Sequence, residues 1–245
     1  LANSTKVIGN VIHTDKEYIM VIQLHGDVDL DRVLKTLENF IGVIYQKPPL
    51  RSSVKRTVRR KRVNWIKVLE YSDRFLLVHV SCEAGTYMRK LAHDLGLLLG
   101  IGAHMRELRR VRTGPFKEDE TLVKLQDVSE AVYLWKTSGD ERYLRKVILP
   151  VETAIVHLPK IMIKDSAVDA IAHGADLAVP GITRLTRDVK KGGKVAILTL
   201  KGELVAIGKA MYNAEEIAKL SKGIVVKTWR VIYERGVYPD VWRKK

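Results

Sequence analysis

The sequence predicts an α+β fold: a mixed, largely antiparallel sheet with helices, followed by a small β-barrel. Two observations carry this. Up to residue 150, strand-like apolar runs are interleaved with segments whose apolar residues recur at helical spacing. Beyond His157-Leu158-Pro159 the texture changes to short strands separated by glycine turns, which suits a compact barrel with one or two helices. The boundary is therefore placed between residues 1–156 and residues 157–245.

Residues 1–7 read as the exit of a helix, and residues 7–13 and 18–24 as strands. Over residues 29–40, Leu30, Val33, Leu34, Leu37 and Ile41 share one helical face, with Gly42 as the stop. Pro48 and Pro49 keep the next stretch extended. Residues 51–62, "RSSVKRTVRRKR", read as a loop, and residues 63–69 and 75–82 as a strand pair. Gly85 then turns the chain into a helix whose inner face is Met88, Leu91, Ala92, Leu95 and Leu99. Arg89 falls in its first turn, where the macrodipole disfavours a cation. Residues 105–114, "MRELRRVRTG", read as a helix with Arg106, Arg109 and Arg110 along one face and Leu108 and Val111 as core. Short helices are expected at residues 122–135 and 141–149. In the second domain, residues 165–173 form a helix ending at Gly174. Residues 194–200, 204–211 and 224–233 form strands, with a tight hairpin at Lys201-Gly202.

The composition narrows the function. The net charge is +15, which suits a polyanionic partner. Residues 51–62 hold seven basic groups and no acid, and residues 157–245 carry a net charge of +8. No apolar run reaches membrane-spanning length, so no membrane partner is expected. Cys82 is the sole cysteine, which excludes an internal disulfide, and it reads as a small buried hydrophobe. His93, His104, His157 and His173 lack metal-ligand spacing, and no Walker or GxGxxG loop occurs. Neither a metal nor a cofactor is expected.

Three constellations remain. Arg51, Lys55, Arg56, Arg59, Arg60, Lys61 and Arg62 repel one another unless an anion arrives. They read as a phosphate-tracking loop, the alternative being an ordinary solvated face. Arg106, Arg109 and Arg110 border a substrate groove or simply decorate a surface helix. Tyr18, in "KEY", is either packing or an aromatic platform for a base.

In order along the chain, "KEYIMVIQL", "GVIYQKPPLRSSVKR", "EAGTYMRKLAHDLG", "GAHMRELRRVRTGPF" and "HGADLAVPGI" resemble the archaeal dyskerin branch of the TruB-type RNA pseudouridine synthases. The resemblance covers essentially the whole chain. It makes the first sheet a pseudouridine-synthase sheet, incomplete at its N-terminus, and the second domain a PUA-like barrel. It implies cofactor-free isomerisation of uridine to pseudouridine on a base flipped from its stack, with an aspartate as nucleophile. It gives Tyr18 the base-stacking role, Arg89 the pairing with that aspartate, and Leu108 the packing on the base from the other side. The basic loop becomes an RNA-gripping thumb, with Arg109 and Arg110 as further RNA contacts. His173, Gly174, Ala175 and Asp176 open the RNA-binding segment of the PUA domain. The implied partners are an H/ACA guide RNA, a substrate RNA, and the small Nop and Gar subunits of that particle. The archaeal reading implies a cytoplasmic protein, nucleolar only for a eukaryotic source. The family's aspartate motif, of the G-T-L-D-P type, occurs nowhere in these residues, and a truncated catalytic domain, inactive by itself, is expected. Two alternatives stay open: a non-catalytic RNA-binding scaffold and a stand-alone tRNA pseudouridine synthase.

Overall fold

A computed structural model describes residues 3–49 and 55–240. The chain divides into two compact units, residues 11–123 and residues 1–10 with 124–245. The boundary placed at 156/157 followed a change in sequence texture. By contacts, residues 124–156 group with the C-terminal strands. The Glu152 carboxylate, for example, accepts a hydrogen bond from the Leu204 amide at 2.8 Å.

The first unit is built on one antiparallel sheet. Its strands are β1 (Lys16–Leu24), β2 (Gly42–Gln46), β3 (Arg59–Ser72), β4 (Phe75–Cys82), β5 (Ala103–Thr113) and β6 (Phe116–Lys117), in the spatial order β2-β3-β4-β1-β5-β6. Side chains alternate across a strand. Met20, Ile22 and Leu24 of β1, Leu76, Val78, Val80 and Cys82 of β4, and Val63 of β3 therefore lie on one buried face. Two helices supply the other half of that core: α2 (Leu30–Glu38) through Val33 and Leu37, and α3 (Met88–Leu99) through Met88, Leu91, Ala92, Leu95 and Leu99. Each fully buried leucine contributes about 1.5–3 kcal/mol. Burial pushes the Cys82 thiol up to about 11, so it stays protonated.

Gly96 marks the closest approach of α3 to the sheet. A Cβ there would sit 2.0 Å from the Ala103 backbone nitrogen. Alanine's better helix propensity, worth about 1 kcal/mol, does not offset such a clash. Gly96→Ala is expected to cost about 3 kcal/mol, the upper end of the range for overpacking. Urea unfolding of the purified variant measures it, and an unchanged midpoint would refute the close packing.

The second unit holds α4 (Leu125–Ser138), α5 (Arg142–Val147), α6 (Asp165–Ala172) and α7 (Ala214–Lys219). Its sheet comprises β7 (Lys160–Ile163), β8 (Leu177–Ala178), β9 (Ile182–Leu185), β10 (Lys194–Leu198), β11 (Leu204–Ala210) and β12 (Ile224–Val231), in the order β8-β12-β11-β10-β7-β9. β7 and β10 run parallel, and the other pairings are antiparallel. The expected hairpin is present, with Gly202 at φ +86°.

Four expectations need correction. Residues 7–13 are helical, as a 3-10 turn (Ser4–Val7) running into α1 (Ile8–Ile12), not a strand. Gly42 does not cap α2, which ends at Glu38 with Asn39 as its cap; Gly42, at φ +98°, opens β2. Residues 59–62 are not loop: Arg59, Arg60, Lys61 and Arg62 start β3 and pair with Gln46, Tyr45, Ile44 and Val43. Finally, residues 105–114 are not a helix. Residues 105–113 belong to β5, held along the whole length of β1, and Gly114 begins the turn after it.

Candidate active site

The strand registers bring several of the sequence-predicted residues to one end of the first sheet. Lys16 of β1 lies opposite Cys82 of β4 and Thr113 of β5, and Val63 of β3 lies opposite Cys82. The start of β1 and the ends of β4 and β5 therefore meet there. The chain leaves β4 at this end, makes a turn over residues 83–87 and enters α3.

Of "KEY", Lys16 and Tyr18 share the core side of β1, and the Lys16 head group is engaged by backbone carbonyls. The Lys16 ammonium donates to the carbonyls of Ile12 and Thr14, each at 2.8 Å. The Glu17 carboxylate points to the other face, pairing with Arg112 at 2.7 Å and His79 at 3.2 Å. Tyr18 is half-buried, opposite Arg110 on β5. Burial pushes its phenol up, while the Arg110 guanidinium acts in the opposite direction. Leu108 lies opposite Met20, on the same face as Tyr18 and Arg110. Its side chain remains 42% exposed, where a plain core leucine would be covered.

Arg89 is the second residue of α3. It is exposed and has no ion pair or side-chain hydrogen bond among the described residues. A cation there opposes the macrodipole, which costs about 0.3–1 kcal/mol. Asp94, on the same helix, is taken by Lys90.

The remaining predicted residues fall into three groups. Arg109 faces away from Tyr18, opposite Ile19, and pairs with Glu118. Arg60 and Arg62 are exposed, with no side-chain partner among the described residues. Arg59 and Arg56 donate to the carbonyls of Lys55 and Pro48, each at 3.3 Å, and Arg51 lies outside the described residues. In the second unit, the loop of His173, Gly174, Ala175 and Asp176 is tied to β12. The Thr228 amide donates to Asp176 at 2.9 Å and its hydroxyl to the Ala175 carbonyl at 2.7 Å.

One polar residue escaped the sequence reading. Gln46, at the end of β2, is only 2% exposed. It accepts a hydrogen bond from the Tyr87 amide at 2.9 Å and donates to the Tyr87 carbonyl at 3.2 Å. Its signal was there: the half-buried face of β2 runs through Gly42 and Ile44 to position 46, which puts a polar group where an apolar one belongs.

Comparison with known proteins places this architecture. Residues 89–156 match the tRNA pseudouridylate synthase B C-terminal domain, residues 159–232 the PUA domain, and residues 3–97 the Pus10 C-terminal family. A probable tRNA pseudouridine synthase B from Pyrococcus furiosus is 51% identical over all 245 residues, which span 72% of its length. One from Pyrobaculum aerophilum is 50% identical, with 73% of its length spanned. A crystal structure of a Cbf5–Nop10–Gar1 complex superposes with a TM-score of 0.90 at 52% identity, over 97% of this chain and 72% of the other. An H/ACA ribonucleoprotein bound to a substrate RNA containing 2′-deoxyuridine gives a TM-score of 0.90 at 49% identity, over 98% of this chain and 73% of the other. The class is therefore that of the RNA pseudouridine synthases. Within it, the chain belongs to the TruB-type enzymes that carry a C-terminal PUA domain.

Proposed function

We propose that this chain is the catalytic subunit of a box H/ACA guide-RNA ribonucleoprotein. It converts uridine to pseudouridine in ribosomal RNA, with tRNA as a second substrate class, and assembles with guide RNA and small Nop and Gar subunits. The observation that carries the reading is Arg89. It is an unpartnered arginine in a helix's first turn, at the sheet end that also holds Tyr18 and Arg110. An arginine fork holds a carboxylate bidentately, which keeps it ionised and aimed. The carboxylate it awaits is the family's nucleophilic aspartate. Tyr18 stacks on the flipped uracil and Leu108 closes the other side, while the C1′–N1 bond breaks and a C1′–C5 bond forms. The solved relatives named as H/ACA particles support the guide-dependent form. The relatives named as tRNA synthases support the alternative. Assaying a chain extended to carry the aspartate motif on one guide–target pair and on one tRNA decides between them. Conversion of the tRNA alone would overturn the guide-dependent reading.

The loop of residues 173–176 and the basic PUA unit are proposed to hold the single-stranded ACA end of the guide, where base edges are open to readout. Replacing that trinucleotide is expected to weaken guide binding in a filter-binding titration. Equal affinity for a scrambled end at the same salt would refute it.

Arg59, Arg60 and Arg62, at the foot of the basic segment, are proposed to meet phosphates rather than bases. Neutralising all three should weaken binding of every RNA alike. It should also flatten log affinity against log salt by roughly 0.7–0.9 per lost contact. An unchanged slope would remove them from the phosphate contact.

A further inference from the structure

Both feet of the basic segment grip the turn that delivers Arg89. The segment leaves β2 at Gln46 and re-enters the sheet in β3, where Lys61 lies opposite Ile44. From the first foot, Gln46 meets both backbone groups of Tyr87, the residue that caps α3. The Tyr87 amide is one of the donors that a helix start leaves without a partner, so Gln46 completes the helix end as well as tethering it. From the second foot, the Lys61 ammonium donates to the Glu83 carboxylate at 3.0 Å and to the Ala84 carbonyl at 2.7 Å. The backbone of β3 adds a third tie, the Arg62 carbonyl accepting from the Glu83 amide at 2.8 Å. Between these anchors Gly85 takes φ +80°, and a Cβ there would lie 3.4 Å from the Lys61 ammonium.

We infer that Gln46 and Lys61 are positioning residues. They fix the turn of residues 83–87 to the two feet of the RNA-binding segment, so that engagement of RNA and the aim of Arg89 form one mechanical unit. This rests on the catalytic reading of Arg89 given above. Its physical basis is that Arg89 lies two residues from a backbone held by a buried side chain. A misplacement of about 1 Å at a reacting group costs on the order of a hundredfold in rate.

The test uses a chain extended to carry the aspartate motif, assembled with guide RNA and assayed in single turnover at saturating substrate. Gln46→Met keeps the length and removes both hydrogen bonds, and Lys61→Met removes the second anchor. Each is expected to lower the rate about tenfold to a hundredfold, and Gln46→Met, which lies outside the basic set, should keep RNA affinity within about twofold. Gln46→Glu keeps an acceptor for the Tyr87 amide, and the helix N-terminus favours its charge. It should therefore recover part of the loss. Melting temperatures identify any variant that fails to fold, and Gln46→Glu and Lys61→Met then carry the test. Rates unchanged in Gln46→Met and Lys61→Met, with Arg89→Ala inactive, would overturn the clamp alone. Full activity in Arg89→Ala would overturn the catalytic reading beneath it. A loss of RNA affinity without loss of rate would assign both residues to RNA binding instead.

Discussion

Arg89→Ala is expected to nearly abolish turnover in a chain extended to carry the aspartate motif, while guide-RNA affinity stays largely intact. The arginine's proposed partner is the enzyme's own carboxylate, so its removal leaves RNA contacts untouched. A catalytic carboxylate that loses the group aiming it is misplaced, and a misplacement of about 1 Å costs on the order of a hundredfold in rate. Arg89→Lys should also be poor, because an ammonium cannot reproduce the planar fork that holds both carboxylate oxygens. Asp94 offers no rescue from within the helix, being engaged by Lys90. Single-turnover tritium release and a parallel binding titration separate the two effects. Full activity in the alanine variant would show that Arg89 has no part in the chemistry.

How far the sequence disclosed this site depended on how regular each element is. α3 was legible because five apolar residues keep strict helical spacing, and all five are buried. β4 was legible because its core residues alternate without interruption from Leu76 to Cys82. β5 was not legible, for a physical reason. A register shift against β1 between Val21 and Ile22 leaves Arg106 as an extra residue. Met105 and Leu108 thus lie three apart yet face the same side, which imitates a helix turn. The same irregularity hid the pairing of Tyr18 with Arg110, since only the register of β1 and β5 shows it. Residues 8–12 failed in the opposite sense. Their β-branched content suggests a strand, but Asn10 is buried there, accepting a hydrogen bond from the Lys194 ammonium at 3.1 Å. Tertiary context overrode propensity. Roles such as base stacking came from the family resemblance, because no spacing rule distinguishes Tyr18 from any other half-buried tyrosine.

Residues 1–245, tested by themselves, are expected to bind RNA but to make no pseudouridine. The reaction needs a nucleophile at the sugar or base. Tyr18 is held protonated by burial, which pushes its phenol up, and Arg89 is a cation without nucleophilic character. Among the described residues no carboxylate pairs with Arg89. The two acids nearest in sequence are engaged elsewhere, Glu83 with Lys61 and Asp94 with Lys90, and Glu17 on β1 is paired with Arg112. Binding should survive because its sources, the basic segment and the PUA unit, lie within these residues. Supplying the aspartate motif upstream should switch activity on without raising RNA affinity by more than about twofold, since one added carboxylate contributes nothing to phosphate attraction. Release of tritium from 5-tritiated uridine at saturating RNA measures this directly, because C5 loses its hydrogen only when the new glycosidic bond forms. Robust release from residues 1–245 alone would place the nucleophile within this chain and send the search back to the carboxylates around α3.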